Sequence, residues 1–149
     1  MKKLPPIEKV YEAFSAIADG RVTLGDGQAS IASSNGDKSY SVTWAGNAYA
    51  SDDNATYWQG YAGYPVIAVL MLQGMLPLNK EIAALFSGIN WSEANAAAKR
   101  DYAKAAEAVF DRCGYDGSVR QRIRAEAERV HEKLAGSDIV LKRAKPKKN

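Results

Sequence analysis

Between residues 22 and 50 the chain is a series of short segments rich in β-branched and aromatic residues: Val22 to Leu24, Ala29 to Ser33 and Tyr40 to Trp44. Gly25-Asp26-Gly27 and Asn35-Gly36 separate them, and Gly46-Asn47 precedes a further short run, Ala48 to Ala50. Asn-Gly and Gly-Asn tolerate the positive φ that tight hairpin turns demand. In the third segment Tyr40, Val42 and Trp44 alternate with Ser41 and Thr43, which gives one apolar and one polar face. The stretch therefore specifies an antiparallel meander of three to four strands, whose apolar face needs a helical layer over it.

The flanking sequence supplies helices. Pro5-Pro6 precede Ile7, Val10, Tyr11, Phe14 and Ile17, a stripe at helical spacing that Gly20 closes. After residue 65 the pattern is helical again. Pro65 opens an apolar helix that Gly74 and Pro77 end, and Asn79 caps a short helix bearing Ile82, Leu85 and Phe86. Asn90 or Ser92 starts a long helix carrying Ala98, Tyr102, Ala105, Val109, Phe110 and Cys113 up to Gly114. Ser118 with Gln121 reads as a capping box for a last helix presenting Val119, Ile123, Val130 and Leu134. Ser137 to Leu141 reads as one more short strand docking on the sheet edge. The expected class is α+β: an N-terminal helix, the meander, then a layer of about four helices. Residues 1–141 are expected to form one domain and residues 142–149 a basic flexible tail.

The tail explains the charge. It holds five of the twenty cations and none of the seventeen acids, so the net +3 of the chain becomes −2 for residues 1–141. A tail of this kind adds sequence-independent attraction to phosphates at most. No apolar stretch follows the first lysines as in a signal peptide, and Pro65 to Leu76 is about half the roughly 20 residues of a membrane span. With a single cysteine a disulfide framework is excluded, and a reducing cytoplasm is the expected location.

Most catalytic constellations are ruled out by counting. One histidine and one cysteine are present. His131 is expected on the wet face of the last helix and Cys113 on an apolar stripe. No zinc-type spacing, GxGxxG or phosphate loop occurs, so no metal or cofactor is expected. Asp52 and Asp53 are adjacent, so in extended chain they point to opposite sides and cannot jointly flank a substrate bond. They read as turn residues, with Asp53 or Asn54 capping a short helical turn through Thr56 to Gln59.

Lys80 to Arg100 resembles a bacterial helix-turn-helix in outline: Glu81-Ile82-Ala83, a leucine, a glycine-containing turn, then a second helix with Lys99 and Arg100. Its first helix runs one residue long before Gly88. Its second begins Ser92-Glu93-Ala94-Asn95, where base-reading side chains would stand, and continues for some five turns. The resemblance implies a nucleic-acid-associated protein using this hairpin and the basic tail, with a basic face made by Lys99, Arg100, Arg112, Arg120, Arg122 and Arg124. A salt-bridged solvent face explains the same arginines.

The remaining feature is DDNATYWQGYAGYP, residues 52–65, with four large rings within eight residues. On a continuous helix Tyr57, Tyr61 and Tyr64 fall on one face with Trp58 beside them, as core packing would require. Gly60 and Gly63 weaken such a helix and admit a close backbone or a flat ligand. The rings carry polar tips, and Asp53, Asn54 and Gln59 stand alongside. The sequence is read as a non-catalytic binding or assembly module for a protein partner, a small ligand or a second copy of itself. Asp53, Asn54, Tyr57, Trp58, Gln59, Tyr61 and Tyr64 are its candidate contact residues.

Overall fold

A computed structural model describes residues 3–144 of the chain. Helix α1 (Glu8–Ala18) leads into strands β1 (Val22–Leu24), β2 (Gln28–Ala32), β3 (Ser39–Ala45) and β4 (Ala48–Ser51). A single π-type turn (Ala55–Gln59) follows, then α2 (Tyr64–Leu72), α3 (Lys80–Ala84), α4 (Trp91–Ala97), α5 (Tyr102–Cys113), α6 (Gly117–Ala135) and β5 (Val140–Arg143). The class is α+β, as the meander requires.

The five strands form one sheet in chain order. The first four pair antiparallel, and β5 adds parallel to β4, with Val140 opposite Ala48 and Arg143 opposite Ser51. The sheet is therefore mixed, and its fifth strand lies slightly beyond the Ser137–Leu141 run. Lys142 and Arg143, counted above with the tail, belong to β5. Lys145, Lys147 and Lys148 lie outside the described residues. Gly46 takes φ 60° in the two-residue turn between Ala45 and Ala48, which a side chain would strain.

The alternation of β3 translates directly into layers. Val42 is fully buried and pairs with Ala29 and Ser51, both buried, whereas Thr43 and Ser30 face solvent. Helix α2 covers the inner face, meeting β1, β3 and β4. It is apolar throughout, from Pro65 to Met71, because it is enclosed on all sides. Helix α1 packs between α2 and α3 and also meets α5 and α6.

Aromatic rings hold the helical side together. Phe86 is fully buried, with Tyr11, Phe14, Phe110 and Trp91 at centroid distances of 5.3, 5.6, 6.1 and 6.3 Å. Ser15 Oγ donates to the Phe86 carbonyl at 2.6 Å and accepts from Trp91 Nε1 at 2.8 Å, so one buried hydroxyl serves two groups.

The helical region departs from expectation in four places. The long helix expected from residue 90 to 114 is two helices. Lys99 and Arg100 take φ 53° and 66° between them, and Asp101 caps α5 by accepting from Lys104 N. The break lets α4 and α5 pack on each other, which a straight helix could not do. Asp116 rather than Ser118 caps α6, accepting from Val119 N at 2.9 Å. Cys113 is exposed at the last position of α5, and Tyr115, just past the Gly114 cap, packs on Phe110. His131 is half-buried rather than wet, and its Nε2 donates to the Pro5 carbonyl at 2.9 Å.

Truncating the central ring tests this account. Phe86→Ala should lower the unfolding free energy by about 3–5 kcal/mol, measured by urea denaturation.

Candidate functional site

The loop expected to carry the site is organised by one carboxylate. Asp53 is buried, and its Oδ1 accepts from Ser51 Oγ at 2.5 Å while its Oδ2 accepts from Thr56 N at 3.0 Å. Thr56 Oγ1 in turn accepts from Gly63 N at 3.1 Å. Asp53 thus ties the end of β4 to the π turn, as a capping residue should. Asp52 points the other way and accepts from Ser41 N at 2.8 Å. Gly63 matters through its missing side chain: a Cβ there would stand 2.0 Å from Asp53 Oδ2. The close approach that this glycine permits is to a carboxylate of the same loop.

The rings do not share one helix face. The turn closes through Gly60 N to Ala55 O at 3.1 Å, and Gly60, at φ 76°, ends it. Tyr61 then points inward and is buried, while Tyr64 opens α2 and meets Tyr40 edge-on at 6.3 Å. Trp58 is 65% exposed. Tyr57 packs edge to face against it at 4.7 Å and 83°. The choice between core and contact surface is therefore divided within the loop. Single π turns are frequent at functional sites, and this one displays an indole to solvent.

Beside the loop lies a cleft of about 650 Å³, a volume typical of small-molecule sites. Of the residues singled out in the sequence, Asp53, Asn54, Trp58, Gln59, Tyr61 and Tyr64 line it, as does Arg100. Tyr57 contributes by supporting Trp58. Lys99 is exposed next to Arg100, and neither Arg120 nor Arg124 reaches the cleft. The opposite walls come from the β2–β3 turn and from α4. Ser34 Oγ accepts from Ser92 N at 3.1 Å and bridges these two walls.

The deepest part of the cleft is not legible in the residues that form it. Lys9 and Glu12, one turn apart on α1, are buried there and pair at 3.1 Å. Lys9 also sits 4.3 Å from the centre of the Tyr102 ring. Burial raises the Glu12 carboxyl above its ordinary value, with Lys9 acting against that rise. For Lys9, burial pulls downward, but Glu12 and the neighbouring phenols outweigh it and the ammonium is raised. Burial also raises the Tyr64 phenol, against the opposing influence of Arg21. Arg21 donates from Nη1 to the Ala32 carbonyl at 2.7 Å. A Lys–Glu pair at this spacing reads in sequence as a solvated helix face, because nothing local signals that other elements will cover it.

The α6 arginines of the alternative surface are committed elsewhere. Arg120 binds Glu107 at 2.9 Å and Asp111 at 2.8 Å, and Arg124 approaches Glu107 at 3.6 Å. The second helix of the hairpin, α4, ends after seven residues. Among the described residues no group of three or more His, Cys, Asp or Glu is placed to hold a metal ion. No helix among them is long and apolar enough to cross a membrane.

With this geometry in view, comparison with known families matches residues 2–140 to one described as uncharacterised conserved protein UCP014422. The chain belongs to that family. Comparisons with curated proteins and with solved structures each found no match. The family match spans the whole sheet up to the start of β5, together with every element lining the cleft.

Two variants probe the site's construction. Gly63→Ala must displace the Asp53 carboxylate and break its bonds to Ser51 and Thr56, so a loss of about 3 kcal/mol is expected in chemical denaturation. Lys9→Met leaves Glu12 buried without its cation, and should destabilise by about 3–5 kcal/mol at neutral pH. The sign with pH follows from the raised carboxyl. Glu12 favours the fold fully below the ordinary carboxylate range and loses that contribution as pH rises through its folded value. Removing Lys9 raises that value further. The deficit of Lys9→Met should therefore shrink on acidification toward the ordinary carboxylate range, and Lys9→Met with Glu12→Leu should recover most of it at neutral pH. Urea titrations over a pH series read both effects.

Proposed function

We propose that the protein is a binding module whose cleft takes a small polar ligand, with Trp58 as the principal contact. The observation that carries this reading is the exposed, braced indole at a cleft whose walls come from α1, the β2–β3 turn, the π turn and α4. An exposed tryptophan held by an edge-on tyrosine offers a rigid apolar face with little conformational freedom left to lose on binding. The buried Lys9–Glu12 pair supports the same reading. Apolar side chains of similar volume would fill the space at equal or better stability, so the pair is an unusual choice for packing alone. The two strained residues at Lys99 and Arg100 bring Arg100 to the cleft, and left-handed conformations of non-glycine residues cluster at binding sites.

Nucleic-acid association draws less support. Its arginines on α6 are held by Glu107 and Asp111, and its second helix is two turns long.

Two-dimensional NMR of the indole and amide signals tests the proposal against a library of small polar metabolites. A ligand of the cleft should shift the Trp58 indole N–H and the Asn95 and Arg100 amides together. The Trp44 indole, which does not line the cleft, serves as an internal reference. Trp58→Ala should change the unfolding free energy by no more than about 0.5 kcal/mol, and should weaken every such ligand. Shifts confined to other surfaces, or a variant that unfolds, would refute the assignment.

A further inference from the structure

The composition of the cleft narrows the ligand class. Four of its side chains, Asn35, Asn54, Gln59 and Asn95, are carboxamides; Asn35 Oδ1 is taken by Ser33 Oγ and Asp37 N, and among the described residues the amide groups of the other three have no protein partner. Each offers a donor and an acceptor in one plane. A site for a simple anion would present donors, and a nucleotide site would need a backbone cradle for phosphate at a glycine-rich turn before a helix. This lining is of mixed sign, with Glu12, Asp37 and Asp53 standing among Lys9, Arg21, Lys38 and Arg100, and it contains no glycine. A set of groups that each donate and accept is complementary to hydroxyls, which do the same. Arg100 adds a fork of donors and forms no ion pair among the described residues.

Trp58 supplies the complementary apolar half. It is 65% exposed, and the edge-on contact with Tyr57 braces the indole while leaving it open to solvent. A pyranose ring has the matching duality, with apolar C–H groups on its faces and hydroxyls around its rim. The volume of about 650 Å³ holds more than one sugar unit.

Resting on the reading of this cleft as the ligand site, we propose that the ligand is a saccharide. One pyranose face stacks on Trp58, and the hydroxyls are held by Asn54, Gln59, Asn95 and Arg100. Arg100 equally suits vicinal hydroxyls or the carboxylate of an acidic sugar, so both kinds belong in the test.

The experiment is isothermal titration of the full chain with two panels. The first contains glucose, xylose, N-acetylglucosamine, galacturonate and the β-linked disaccharides of glucose and of N-acetylglucosamine. The second contains nucleotides, amino acids and dicarboxylates. At least one saccharide should bind, and Trp58→Ala should weaken it by about tenfold or more. Asn95→Ala should weaken it in the same direction, with both variants keeping the wild-type urea midpoint. Saccharide binding indifferent to Trp58→Ala would overturn the proposal by placing the sugar elsewhere. Binding only from the second panel, sensitive to Trp58→Ala, would overturn the saccharide assignment and leave the cleft as the ligand site. No binding from either panel, at concentrations up to tens of millimolar, would overturn both.

Discussion

The enclosure of α1 governs the rest of the molecule. Eight consecutive residues, Lys9 to Ala16, are buried, so the helix has no wet face along this length. Its apolar positions find α2, α3, α5 and α6. Its polar positions, spaced three apart at Lys9, Glu12 and Ser15, must be satisfied from within. Lys9 and Glu12 satisfy each other, and Ser15 serves Phe86 and Trp91. The polar stripe of a buried helix thereby does two things at once. One end becomes the floor of the cleft, and the other fastens the segment joining α3 to α4.

Much of this architecture can be read from the residues. Alternation in Tyr40 to Trp44 and the turn residues around it specify the meander, because strand pairing repeats every two residues and hairpin turns tolerate few side chains. The ends of α2 and the caps at Asn79 and Asn90 are equally local. What is not legible depends on contacts far along the chain. The alanine-rich run through Ala94 to Ala98 favours continuous helix, yet tertiary packing of α4 on α5 outweighs that preference and forces two left-handed residues. Cys113 keeps helical register with Val109, yet residues 111–114 at the end of α5 are all exposed.

The candidate site shows the same division. The 52–65 loop stands out in sequence because rings, glycines and carboxylates are concentrated there, and the cleft lies beside it. The roles within the loop are finer than composition can resolve. Asp53 builds the loop, Tyr61 is buried at the cleft wall and Trp58 is exposed. The other walls come from residues tens of positions away, and Lys9, Glu12, Arg21 and Tyr102 carry no local signature of a shared cavity.

The parallel pairing of β4 with β5 also bears on how the chain reaches this structure. Ala48 to Ser51 run directly into the Asp53 loop, and their outer partner is supplied by residues 140–143. Until that distant segment arrives, β4 is an edge strand with unpaired backbone groups, and joining the two closes the longest loop in the sheet. The meander and the helical hairpins can form from neighbours in sequence, but this contact is non-local and entropically slow. Completion of the sheet and full support of the strand that carries the site thus rest on one and the same non-local contact.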